Sequence, residues 1–119
     1  MEQQMDNQHR AIKGYRELSA AEIDLMNRIK AAGAELLALQ DELKNQLDTQ
    51  YETKREAAAR SLAGPEAAGV SITQGATDEC REIQRFLAAE PHRWADIAKT
   101  DIQTGVMALV RAVAQPSTP

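Results

Sequence analysis

Residues 94–116 read WADIAKTDIQTGVMALVRAVAQP, and their apolar positions recur in steps of three and four: Trp94, Ile97, Ala98, Ile102, Gly105, Leu109 and Val113. A helix turns once in ~3.6 residues, so these positions share one face. Asp96, Lys99, Thr100, Gln103 and Arg111 take the opposite face. A second stretch, residues 18–51, keeps the same period. Two such stripes are expected to pack on each other and on other copies of the chain. The polar groups at the seams are then placed to bind a small anionic ligand.

A chain of 119 residues is read as a single domain, 1–119. A lone two-helix hairpin buries too little surface to be comfortably stable, which calls for a third helix or further copies. Aromatic residues make up only 3 %, with one Trp and one Phe, so the core is thin and a homo-oligomer is expected. The abundant Ala, Glu, Gln, Arg and Leu are good helix formers. The net charge of −4 disfavours a nucleic-acid polymer as partner, because that binding needs a broad basic face. A small anion needs only a few local cations. Cys80 is the single cysteine, which excludes an intrachain disulfide and a multi-cysteine metal site and fits a reducing, cytoplasmic setting. The opening MEQQMDNQHR lacks the apolar core of a signal peptide, and no apolar run approaches the ~20 residues that cross a bilayer, so no membrane partner is expected.

Residues 1–10 are polar and read as a frayed terminus, and 11–18 as a short helical segment around Gly14. Ser19 to Glu22 fits a capping box, with Leu18 and Ile23 at the staple positions. A helix follows over about 20–62, with a seam through Met26, Ile29, Gly33, Leu36, Gln40, Leu43 and Leu47. Gln40 breaks the apolar stripe, either to fix register or to face solvent. Gly64 and Pro65 stop this helix, and 63–76 forms the hairpin loop. Thr77 or Asp78 caps a helix to about residue 90, with Cys80, Ile83 and Leu87 inward. Pro91 either kinks the chain or starts a fresh helix. The last helix ends near Gln115, leaving 116–119 as a tail. The expected fold is all-α: a short N-terminal helix, then a hairpin of two long antiparallel helices, the second kinked near Pro91.

His9 and His92 fit no metal-ligand spacing and read as surface histidines. Cys80 reads as a buried structural thiol, and carboxylates such as Asp41 and Glu42 as solvated helix surface. No phosphate loop, GxSxG or HExxH occurs, and no catalytic constellation can be assembled. The chain therefore reads as a non-enzyme with no metal and no cofactor. Tyr15 can offer its ring to a base, and Lys30 can meet a phosphate as a point charge. The alternative is a staple tyrosine and a surface lysine. Ala20 and Lys30 are ~15 Å apart along a helix, so Tyr15 and Lys30 share one ligand only if the N-terminal segment folds back or two chains contribute one residue each. Arg93, Lys99, Thr100, Thr104 and Arg111 form a second polar cluster, whose plainer reading is surface ion pairing.

Two blocks, IKGYRELSAAEIDLMNRIK at 12–30 and RWADIAKTDIQTGVMALVRAVAQP at 93–116, resemble the phage anti-CBASS cyclic-nucleotide sponges, a family of Vs.4-like helical hairpin proteins. Together they cover about a third of the chain, and the ordered string K-T-D-x-Q-x-G-x-M-A-L-x-R-A-V-A-Q-P is specific. The resemblance implies a homohexamer that binds cyclic di- and trinucleotide messengers of bacterial immunity and sequesters them uncleaved. It implies that Tyr15 and Lys30 line a cyclic-dinucleotide site at a protomer interface, the tyrosine stacked on a base. Cyclic trinucleotides would take a separate site, for which Arg93, Lys99, Thr100 and Thr104 are the candidates. The chain departs from the short family members by extra length between about 50 and 76. The related Thoeris-signal sponges, which bind cyclic ADP-ribose isomers, share the hairpin and offer an alternative ligand. A helical protein-interaction adaptor is the alternative of a different class.

Overall fold

The computed structural model describes residues 16–117. Tyr15, His9, the whole of residues 1–10 and most of the expected N-terminal helix lie outside the described residues. Arg16 to Ser19, which are described, are not helical. Every regular element among the described residues is helical: α1 (Ala20–Ser61), a 3-10 turn (Pro65–Ala67), α2 (Asp78–Ala89) and α3 (Pro91–Ala114). With 42 residues, α1 is ~63 Å long. The chain divides into two compact units, Met1–Ala38 with Lys99–Pro119, and Leu39–Ala98.

In the first unit α1 starts at the expected capping box. The Glu22 amide donates to Ser19 Oγ at 3.1 Å, and Glu22 Oε1 accepts from the Ser19 amide at 2.9 Å. These bonds satisfy amides that a helix start otherwise leaves without partners. Leu18, just ahead of the cap, is buried. The two helical segments of this unit run antiparallel, Arg16 bonding to Ala114 and Gly33 lying against Val106. Gly33 is buried and allows the two backbones to approach closely.

The second unit holds two small clusters. Leu47, Phe86 and Ala95 form one, and Ala58, Cys80 and Ile83 the other, with Tyr51 packed against both. Gln40 is buried and its Nε2 donates to the Ala95 carbonyl at 2.9 Å, so it faces the neighbouring helix and not solvent. Lys44–Asp96, Asp48–His92 and Lys54–Glu82 pairs flank the clusters. The expected loop is ordered by side-chain bonds: Gln84 Nε2 donates to the carbonyls of Ile72 and Gly75, at 3.2 and 2.9 Å. Thr77 caps α2, its Oγ1 accepting from the Cys80 amide at 3.1 Å. Pro91 is the first residue of α3, and Glu90 turns the chain in the left-handed region at φ 50.

Three assignments of the inward face need correction. On α1, Met26, Gly33, Gln40 and Leu47 do turn inward, but Leu36 and Leu43 are exposed, and Leu37 and Lys44 hold the intervening inner positions. On α3, Trp94, Gly105 and Leu109 are exposed, while Ala95, Val106, Val110 and Ala114 turn inward with Ile102. On α2, Phe86 is buried and its neighbour Leu87 is exposed. Each error is a shift of one residue. Both helices carry apolar residues on adjoining faces, so periodicity alone does not choose the face that the fold covers.

Candidate ligand-binding cavity

The first unit contains a cavity of about 350 Å³. Its wall is largely apolar: Leu18 from the entry to α1, Met26 from α1, Val106, Met107, Val110 and Ala114 from α3, and Pro116 beyond it. Three cations also line it, Arg16, Lys30 and Arg111. A second depression of about 420 Å³ shares Lys30, Val106 and Met107 and adds Gly33, Ala34, Leu37 and Gln103. The Met107 side chain, 72 % exposed, stands where the two meet. A polarisable thioether is well suited to lie against a ring.

The three cations differ in what they already hold. Arg16 is tied into the protein. Its Nε donates to the Ala114 carbonyl at 3.1 Å and its Nη2 to the Val113 carbonyl at 2.8 Å, while the guanidinium also pairs with Glu22. The hydrogen bond from Arg16, followed by that from the Ser19 amide, holds the Glu22 carboxyl down to about 2. Lys30 is exposed, and no described carboxylate pairs with it. Its ammonium is therefore available to an anion. Arg111, read from sequence as part of the second polar cluster, instead lines this cavity.

The other candidates lie apart. Arg93 belongs to the second unit, where it stacks on the Trp94 ring at 5.3 Å and pairs with Glu90 at 3.6 Å. Lys99, Thr100 and Thr104 are exposed on α3 in the first unit and do not line the 350 Å³ cavity. His92 sits at the surface with its ring half-buried: it meets Asp48 at 2.8 Å and sets its ring edge-on to Phe86 at 6.2 Å. Cys80 is fully buried, as expected. Among the described residues no cluster of His, Cys, Asp or Glu could hold a metal ion, and no helix is long and apolar enough to cross a membrane.

Sequence reasoning missed Arg16. Its acceptors are main-chain carbonyls nearly a hundred positions away, which carry no residue-type signal. The one available hint was its place directly ahead of the capping box, within helix reach of Glu22.

Comparison with known proteins gives two results. Residues 7–114 match the model of the Acb2/Tad1 hairpin domain. The chain is also 62 % identical over 112 residues to anti-CBASS protein 2 of Pseudomonas phage JBD67, an alignment covering 94 % of this chain and 97 % of that protein.

Proposed function

The chain belongs to the Acb2/Tad1 hairpin-domain family, and from that premise we propose that it is a phage anti-defence protein that captures cyclic di- and trinucleotide immune messengers and holds them uncleaved, keeping CBASS effectors off. The observation that carries the reading is the 350 Å³ cavity with Lys30 at its wall and no described carboxylate paired with that lysine. An apolar wall of Val106, Met107 and Val110 accepts the face of a nucleobase, and the ammonium meets a phosphodiester. Tyr15 supplies the stacking ring. The name of the phage relative, an anti-CBASS protein, supports the same biology.

Ligand pockets run from ~300 to 1,000 Å³, so 350 Å³ suits part of a cyclic dinucleotide better than all of it. Such a ligand repeats one base and one phosphate about a twofold axis. Two copies of this cavity facing each other would cover it, which is the reason to expect a site between protomers. An apolar groove in the first unit, with Leu36 at 50 % and Leu109 at 54 % exposure, supports self-association, and the assembly is a homohexamer on this reading. Cyclic trinucleotides take a separate site, with Arg93, Lys99, Thr100 and Thr104 as candidates. The place of action is the host cytoplasm.

Calorimetry with cyclic GMP–AMP, followed by chromatography of the released ligand, tests the reading. Saturable binding with intact recovery is expected. Ligand returned as linear product would make the protein a phosphodiesterase. Binding of cyclic ADP-ribose isomers alone would move it to the Thoeris signal, and a melting temperature indifferent to every such nucleotide would leave the adaptor reading.

A further inference from the structure

The depression of about 420 Å³ in the first unit is built from two helical stripes. Lys30, Gly33 and Ala34 recur at steps of three and four on α1, and Gln103, Val106 and Met107 recur likewise on α3. Gly33 lies against Val106, and the two helical segments run antiparallel. Lys30 and Gln103 therefore fall at opposite ends of the depression, each about one turn from that contact and ~9 Å apart along the groove. They are the two polar side chains of a wall that is otherwise small or apolar. The Gln103 side-chain amide makes no hydrogen bond among the described residues, and Lys30 meets no described carboxylate. A donor–acceptor pair and a cation are thus held over one apolar surface with their bonding capacity unspent.

We propose that Gln103 is the specificity-determining residue of this site: it reads the edge of an adenine base that lies on Val106 and Met107, while Lys30 meets the phosphate. The inference rests on the cyclic-dinucleotide reading given above. A glutamine amide donates to adenine N7 and accepts from the adenine N6 amino group, two bonds in one plane. Guanine presents N7 and O6 on the same edge, both acceptors, so the glutamine carbonyl finds no donor there. Water would mask that difference on an open surface. A base covering Val106 and Met107 excludes the water, and a mismatch then leaves a covered polar group unpaired. The separation of ammonium and amide is of the order of the reach of a purine nucleotide from its phosphate to its base edge.

The test is calorimetry of the full-length protein with cyclic di-AMP and with cyclic di-GMP. The two ligands share one ribose–phosphate ring, so the ratio of their affinities cancels the phosphate contribution. The wild type is expected to favour cyclic di-AMP by about five- to a hundredfold, the discrimination of one bidentate amide–base pair. Gln103 is exposed on its helix, so Gln103→Leu should keep the melting temperature and the assembly size of the unliganded protein. It should bring the ratio close to one, chiefly by loss of cyclic di-AMP affinity, and leave the salt dependence unchanged because no phosphate contact is removed. Lys30→Ala should weaken both ligands alike and preserve the ratio. A wild type that favours cyclic di-GMP or neither ligand, a ratio untouched by Gln103→Leu, or an altered assembly size in that variant would each overturn the role of Gln103 while leaving capture of cyclic dinucleotides standing. Failure of the wild type to bind either ligand would instead bring down the cyclic-dinucleotide reading and this proposal with it.

Discussion

Val106 of α3 lies against the bare α-carbon of Gly33, so close that a β-carbon on Gly33 would overlap Val106 Cγ2. A β-branched side chain is stiff at χ1, so Val106 cannot swing aside cheaply. Gly33→Ala gains up to ~1 kcal/mol of helix propensity but meets an overpacking penalty of about 1–3 kcal/mol. The expected result is a net loss near ~1 kcal/mol in urea unfolding. In a Val106→Ala background the added methyl has room, and the same substitution becomes neutral or stabilising. A coupling of at least ~0.5 kcal/mol between the two sites is the quantity that checks this contact.

Gln40 Nε2 donates to the Ala95 carbonyl at 2.9 Å from a buried position, 8 % exposed. Gln40→Leu keeps the volume and removes the donor. The Ala95 carbonyl lies in helical backbone and retains an acceptor role there, so the loss is limited to about 1 kcal/mol. Gln40→Ala is expected to cost more, because it adds a cavity to the lost bond. Chemical denaturation of the two variants separates the hydrogen bond from the packing. Equal stability of Gln40→Leu and wild type would show the amide contributing nothing net.

Glu22 and Glu82 are both held down to about 2, Glu22 chiefly by the Arg16 hydrogen bond and Glu82 by Arg85 and then Lys54. An unfolded glutamate titrates near ~4.3. Because the folded values are lower, the stabilisation is complete above the unfolded value and is lost as pH falls through the folded one. The thermal midpoint should therefore drop between about pH 4.5 and pH 2, and the drop should shrink in Glu22→Gln and again in Glu82→Gln. Both pairs are reachable by solvent, so added salt should weaken the effect. A pH profile identical in wild type and both variants would contradict the assigned pairs.

What could be read in advance follows the range over which each signal acts. The Ser19–Glu22 box, Thr77 as cap and Pro91 as a break or a helix start depend on neighbours within a turn, and they are visible as residue types. The inward faces were harder: Leu36 and Leu37, or Trp94 and Ala95, differ by one position, and only the partner helix decides between them. Gln40 shows as a break in the stripe, but its partner is a main-chain carbonyl with no sequence signature. The cavity was half legible. Arg16, Lys30 and Arg111 all stand in the two recognised blocks, but that they line one cavity follows only from the end of α3 returning to the start of α1.

Lys30 has no described carboxylate partner, so its substitution should leave the folded protein almost unchanged while altering capture of an anion. Surface substitutions away from packed or bonded groups usually move stability by no more than ~0.5 kcal/mol. Lys30→Ala is therefore expected to keep the melting temperature and the assembly size of the unliganded protein. Its affinity for cyclic GMP–AMP should fall by about ten- to a hundredfold, the range for a charged hydrogen bond of ~1.5–3 kcal/mol. The salt dependence of binding should flatten as one phosphate contact disappears. Lys30→Glu should reduce binding further, since like charges repel across the same gap. Calorimetry at two salt concentrations reads all three effects, and an unchanged affinity in Lys30→Glu would remove the lysine from the site.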